Sequence, residues 1–428
     1  MRTGLAAEPE AADTKERQCR FCRTPLEHIF VDLGVSPLAN AYLRVEDLLR
    51  AEPFYPLQVY VCANCFLVQL EELGKPGEIF SDYMYFSSFS ASWLEHARHF
   101  AAMAIKRFAL KNSSRVVEIG SNDGYLLRFF KEAGIRTLGI EPADNVARAA
   151  VEQGLETRVR FFDSSLAAEL AREGLGADLL VGNNVLAHIP HTNDLMIGLK
   201  RLLNPGGVIS MEFPHLLSLI KENQFDTIYH EHYSYYSLTT AQKIFEAQGL
   251  LIFDAEHLRT HGGSLRIYAG HVEDQAKHKE RFGKSDRLAG LLKVEAEQGL
   301  SKLERYEDFA GQVRALKRRI LKYLIAIKEQ GKTIAAYGAP AKGNTLLNYC
   351  GIGTDFIDYT VDRNPHKQGL YLPGSRIPVF GPEKIFATKP DYLIILPWNL
   401  REEVVEQMAA IRQWGGRFVV LIPEVREF

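Results

Sequence analysis

The chain has 428 residues, of which 46% are apolar and 24% charged, with a formal net charge of -2. That length supports two or three domains with separate cores, and the balanced charge excludes the basic footprint of a nucleic-acid binder. Apolar runs such as Tyr392 to Pro397 fall far short of the ~20 residues needed to cross a bilayer and read as buried strands, so no membrane partner is expected.

Residues 1–17 carry acids and alanines without a signal-like apolar stretch, so they read as a disordered tail and the protein as cytoplasmic. In a reducing compartment, paired cysteines favour metal sites over disulfides. Cys19/Cys22 and Cys62/Cys65 form two Cys-x-x-Cys knuckles, and four thiolates complete a closed, structural zinc site. Redox-active or unliganded thiols are the second reading. The 39 residues between the knuckles exceed the spacing of a compact zinc ribbon, which predicts a small insert with strands over Leu57 to Val61 and Phe66 to Leu70. Cys350 reads as a small core residue.

The aromatic cluster Asp82 to Trp93 precedes a helix carrying Glu95, His96, His99 and Met103. Plain packing explains such a cluster, and so does an active-site wall to which Tyr83 and Tyr85 bring hydroxyls. The β-branched run from Arg115 then predicts a buried parallel strand that breaks at Gly120 and gives way to a helix near Tyr125. The loop Gly120-Ser-Asn-Asp-Gly124, which includes Asn122, permits close backbone approach, with amides aimed at a ligand. A second strand ends at Glu141, 21 residues past Gly120, where a carboxylate grips ribose hydroxyls. These landmarks suit either NAD or S-adenosylmethionine (SAM). The Gly-x-x-x-Gly spacing and Glu118, placed to meet an ammonium, tilt the reading to SAM. Phe162 and Asp163 follow a third strand as adenine neighbours. A fourth strand ends at Asn184, and after a helix and the turn Leu203 to Gly207 comes the strand Val208 to Glu212. This order resembles class I SAM-dependent methyltransferases over about 110–215.

The segment Phe225 to Ser237 is too dense in His, Glu and Tyr for a core and reads as a polar pocket. Tyr229 and His232, three apart, fall on one side of a helical turn. His232 is a natural base, and Glu231 can orient an imidazole or bind substrate. A metal cluster of His230, Glu231 and His232 is the bland alternative. His261, before two glycines, offers a second imidazole or ordinary turn chemistry.

Residues 286–330 read as a solvated connector of charged helices, with Leu316, Ile320, Leu324 and Ile327 on one face. After Gly331, strand and helix alternate again. The loop Ala339-Pro-Ala-Lys342-Gly-Asn344 precedes a helix from Thr345 and offers Lys342 and Asn344 to a phosphate. A purely structural or oligomerising sheet is the other reading. The expected fold is therefore α/β: a zinc-binding domain (18–75), a Rossmann-like methyltransferase domain (76–285), connecting helices (286–330) and a second Rossmann-like domain with room for a phosphorylated substrate (331–428).

Taken together, the four cysteines, Glu118 to Gly124, Asn184-Val-Leu-Ala-His188-Ile-Pro, Tyr229 to His232, His261-Gly-Gly263, Tyr337 to Lys342 and Ile422-Pro-Glu-Val-Arg426 resemble the sugar C-methyltransferases of deoxysugar biosynthesis. The resemblance runs from about residue 19 to the C-terminus. It implies zinc, SAM and a nucleotide-diphosphate 4-keto-6-deoxysugar substrate, methylated next to the ketone, with carbon 3 favoured over carbon 5. In that family pattern His232 removes the α-proton, Tyr229 and Tyr83 stabilise the enolate oxygen, Glu231 assists, and Asn184 and His188 match further active-site positions. Ser121 departs from many members, and His230 matches no fixed role. An O- or N-methyltransferase of a nucleotide sugar, or a non-catalytic nucleotide-sugar-binding protein, are the alternatives. The pattern is compatible with a monomer or a homodimer.

Overall fold

A computed structural model describes residues 17–72, 86–283 and 285–428. Tyr83 and Tyr85 lie outside the described residues, as does the expected tail apart from Arg17. At the front, β1 (His28–Ser36), β2 (Tyr55–Val61) and β3 (Val68–Leu70) form an antiparallel ladder. Phe66, expected to open the third of these strands, instead takes a left-handed φ of 63° in the second cysteine knuckle.

The central sheet follows. Five parallel strands, β4 (Arg115–Ile119), β5 (Arg136–Ile140), β6 (Thr157–Arg158), β7 (Ala177–Asn183) and β8 (Leu203–Pro214), alternate with helices. The expected turn Leu203 to Gly207 lies inside β8 as a bulge: Leu203 pairs with Ala177 and Val208 with Leu179, and residues 204–207 have no partner on β7 between them. β9 (Ser234–Tyr235) leaves this sheet and pairs with β3. The antiparallel hairpin β10 (Leu250–Leu258) and β11 (Ser264–His271) completes the order β10-β11-β8-β7-β4-β5-β6. That order has its switch point between β4 and β7, and doubly wound sheets bind ligands at the carboxyl ends of such strands.

The third sheet contains β12 (Ile334–Tyr337), β13 (Tyr359–Val361), β14 (Val379–Phe380), β15 (Tyr392–Ile395), β16 (Arg417–Val420) and antiparallel β17 (Arg426–Glu427). Its order β14-β13-β12-β15-β16-β17 switches between β12 and β15. The helix expected from Thr345 begins earlier, at Ala341, so Lys342 sits in its first turn.

The connector packs on the face its periodicity marks and is more than a solvated link. The helix Phe309–Glu329 buries Phe309, Val313, Leu316, Ile320, Leu324 and Ile327, the last of these at 4% exposure. The stripe joins one apolar cluster with Phe30 and Val59 of the first sheet and Ile394 and Val419 of the third. At roughly 1.5–3 kcal/mol per buried side chain, it stabilises the joint by about 10 kcal/mol, and an acid at Leu316 would break it. No helix among the described residues is long and apolar enough to cross a membrane.

Candidate active site

The carboxyl ends of the second and third sheets face a shared cavity of about 900 Å³. Of the expected residues, Gly120, Asn122, Glu141, Phe162, Asp163, Asn184, His188, Tyr229, His232, His261 and Lys342 line it. Glu118, Gly124, Glu231 and Asn344 do not.

On the second sheet's side, β4 ends at Gly120, where φ is 65° and a Cβ would come within 2.3 Å of the Val185 side chain. Glycine is required there on both counts. Glu141 accepts the Asn122 and Ala143 amides, each at 2.9 Å, and so shapes the loop it faces. The Asn122 carbonyl oxygen accepts the Ser87 amide at 2.9 Å, and the Asp123 carboxylate accepts the Ser88 amide at 3.1 Å. Those bonds draw residues 86–90 over the loop. Trp93, inside the aromatic cluster, stacks on Tyr125 with ring centres 5.8 Å apart and meets the His261 ring edge at 5.1 Å. The described part of that cluster therefore forms a wall. Gly124 serves packing, since a Cβ there would strike Leu155 at 2.1 Å. Asp163 caps the helix Ser164–Arg172 by accepting the Leu166 amide at 2.6 Å.

Glu118 lies beneath the loop, wholly buried, with neither carboxylate oxygen in a hydrogen bond among the described residues. Burial raises its pKa well above the usual range, and Asp123 and Glu141 push the same way, against the nearby Tyr125 hydroxyl. An orphaned acid under a glycine loop, with Glu141 at the tip of the next strand, fits a ligand with a cationic amine and a ribose, as in SAM.

The turn Tyr229–His232 closes with the His232 amide donating to the Tyr229 carbonyl at 2.9 Å. The sequence suggested a helical turn; a tight turn brings the rings equally close, at 4.0 Å between centres. The His232 Nδ1–H donates to the Thr227 carbonyl at 2.8 Å, which leaves Nε2 as the proton acceptor. Burial first, then the His188 ring, lower the His232 pKa well below its ordinary value. His188 and His261 are likewise pushed down by burial, each to about 4. The Asn184 amide group donates to His261 Nε2 at 3.0 Å. All three imidazoles are therefore neutral at pH 7.

Glu231 turns away from the cavity, and Asn40 donates to its Oε1 at 2.6 Å. Burial raises its pKa to about 7, opposed by Asn40 and Lys367. His230 bonds to the Pro56 carbonyl at 3.1 Å and meets Tyr55 edge-on, so it ties the turn to β2. The 230–232 trio forms no metal cluster among the described residues.

On the third sheet's side, Lys342 faces Asn399 at 3.4 Å across the β12/β15 switch and stands 4.9 Å from the Trp398 ring centre. Lys367, which the sequence left without a role, lines the cavity and donates to the Ala339 carbonyl at 2.7 Å. Asn344 instead holds the Ala39 carbonyl at 2.7 Å, and so fastens the third sheet to the front of the chain. Asn40 and Trp398 had no local sequence signal, because their partners are remote in the chain.

The sulfur atoms of Cys19, Cys22, Cys62 and Cys65 all lie within 4.8 Å of one another, with Cys19–Cys65 at 3.6 Å and Cys22–Cys62 at 3.5 Å. A tetrahedron with ~2.3 Å zinc–sulfur bonds has edges of about 3.8 Å, so the thiolate set fits zinc. Gln69 donates to Cys19 Sγ at 3.3 Å, the outer-shell bond such ligands take. Arg20, between the knuckle cysteines, donates to the Pro190 carbonyl at 3.0 Å, and Asn193 donates to the Phe21 carbonyl at 2.9 Å. The knuckle thus buttresses the cavity wall that carries His188.

Comparison with known proteins follows this division of the chain. Family models match residues 19–80 as "Putative zinc binding domain", 93–253 as "Methyltransferase domain" and 259–423 as "C-methyltransferase C-terminal domain". The chain is 38% identical over 410 residues to C-methyltransferase NovU of Streptomyces niveus, covering 96% of each sequence. A ubiquinone biosynthesis O-methyltransferase of Bordetella avium is 28% identical over 134 residues, which is 28% of this chain and 56% of that one. Among solved structures, magnesium protoporphyrin IX methyltransferase from Synechocystis with bound SAH matches at 15% identity and a TM-score of 0.34, covering 41% of this chain and 82% of that one.

Proposed function

This chain belongs to the C-methyltransferase family, and from that premise we propose that it methylates the carbon beside the ketone of a nucleotide-diphosphate 4-keto-6-deoxysugar, at carbon 3. The single observation that carries the reading is the His232 tautomer. With Nδ1–H committed to Thr227, Nε2 presents a lone pair to a cavity that also holds Tyr229 and Lys342.

SAM, when bound, supplies an electrophilic methyl group. The chain's own residues do the rest. His232 Nε2 takes the proton from the α-carbon, and the Thr227 carbonyl supports the imidazolium that forms. The Tyr229 hydroxyl is the donor for the enolate oxygen. A positioned base contributes roughly 10²- to 10⁴-fold, and an aimed oxyanion donor adds a comparable factor. Glu231 steadies the turn through Asn40. Lys342 and Lys367 supply positive charge where a diphosphate would lie, and the four thiolates hold zinc as a structural element.

The test is a panel of 4-keto nucleotide sugars given to the purified enzyme with SAM, read by mass spectrometry. One panel member should gain one methylene, and in deuterated water without SAM that member should exchange its α-hydrogen. Methylation without exchange would point to an oxygen or nitrogen acceptor instead.

A further inference from the structure

Building on His232 as the base, we infer that Asp226 and Trp398 form a positioning pair that locks the base-bearing turn onto the substrate-facing loops of the third sheet. Asp226 sits in the short 3-10 turn Phe225–Thr227, immediately ahead of the carbonyl that fixes the His232 tautomer. Its side chain is buried, and Oδ2 accepts the Trp398 indole N–H at 2.7 Å. Indole donors and buried carboxylates both need a partner, and here each supplies the other's.

One further bond crosses the same joint, and another ties its near side to the His261 loop. The Thr345 hydroxyl donates to the Ile228 carbonyl at 2.9 Å, from the helix whose first turn carries Lys342. Gln224 donates to the Gly262 carbonyl at 2.6 Å, while a Cβ at Gly262 would meet the Trp398 ring at 2.2 Å. Trp398 therefore presses on the His261 loop, holds Asp226 and carries Lys342 over its ring. A substrate anion gripping Lys342 rests on the same indole that orients the segment bearing the base. Asp226 touches no reacting atom; it acts through Thr227 and Trp398.

The experiment uses the full-length protein purified with its metal and measures α-hydrogen exchange into deuterated water with the responsive 4-keto nucleotide sugar, alongside kcat and both KM values. Trp398→Phe keeps the ring and removes the donor, so it reports even if Asp226→Ala fails to fold. Each should slow exchange and kcat by about 10- to 100-fold, the scale of a misplaced catalytic group, with KM for SAM within about twofold of wild type. Asp226→Asn, which keeps an acceptor oxygen, should recover most of the loss seen in Asp226→Ala. The double variant Asp226→Ala/Trp398→Phe should be no slower than the worse single one, because both remove one bond. Wild-type exchange in Trp398→Phe, or losses that multiply in the double variant, would overturn the pair. His232→Ala is the control for the underlying reading: if that variant still exchanges, the base assignment fails whatever Trp398 does.

Discussion

The imidazoles of His188 and His232 meet edge to face, with ring centres 4.7 Å apart and planes at 72°. Two buried rings this close cannot both be charged. An imidazole works as a base only while neutral, so the acid limb of kcat/KM marks its protonation in the free enzyme. Burial, His188, Lys342 and His261 all lower the His232 pKa, and only the Thr227 carbonyl raises it. Activity should therefore stay level as pH falls through 6.5. In His188→Asn one depressing neighbour is gone, and the limb should move up toward the ordinary histidine value. A pH–rate profile from 4.5 to 8 checks this; a wild-type limb at or above 6.5 would contradict it.

Tyr229→Phe removes the proposed enolate donor and leaves the ring against His232. Turnover should fall by roughly 10²- to 10³-fold, the usual cost of one oxyanion donor. SAM affinity, measured by calorimetry, should be unchanged, because the loop from Gly120 and the acids Glu118 and Glu141 are untouched. A variant that turns over like wild type removes Tyr229 from the chemistry.

Glu231 gives a stability test. Its carboxyl titrates near 7 in the folded chain and near ~4.3 when exposed. Between those values the folded state binds more protons, so this group's contribution is full below ~4.3 and is lost as pH rises through 7. Glu231→Gln keeps an acceptor for Asn40 and removes the titration. Its melting temperature should rise relative to wild type from pH 5 to pH 8, by up to roughly 3 kcal/mol in free energy at the alkaline end. An equal difference at both pH values would rule out the buried, late-titrating acid.

Metal analysis should find about one zinc per chain. Cys62→Ser should lose it, together with ordering free energy on the order of 10 kcal/mol. β3 pairs with β9, two residues past His232, so the loss should also abolish α-hydrogen exchange. An active Cys62→Ser protein without metal would show that the clip and the turn are uncoupled.

Much of the site was legible because its signals are local. Two cysteine knuckles, a glycine loop after a β-branched strand, an acid at the next strand's end, and a lysine beside a glycine where a helix opens are each read within a few residues. The long helix after residue 308 is only half legible for the complementary reason. Its apolar stripe is visible in the sequence, but what covers it is not: β1 lies far upstream and the third sheet follows downstream, and only the fold brings both onto one helix face. Asn344 looked like a phosphate ligand from its loop, yet the fold uses its amide on Ala39. Gly124 looked like a cofactor contact and proves to be a packing position under Leu155.

By itself the sequence determined the chemistry available: thiolates for a metal, acids and glycines for a nucleoside-type ligand, and an imidazole beside a phenol. Periodicity and spacing are properties of neighbours along the chain, and they suffice for that. Only the tertiary structure decided which imidazole nitrogen is free, that Asn40 and Trp398 grip the turn from opposite ends of the chain, and that two sheets share one cavity. Those facts depend on side chains meeting across long stretches of polypeptide, where burial and hydrogen-bond partners are set by packing.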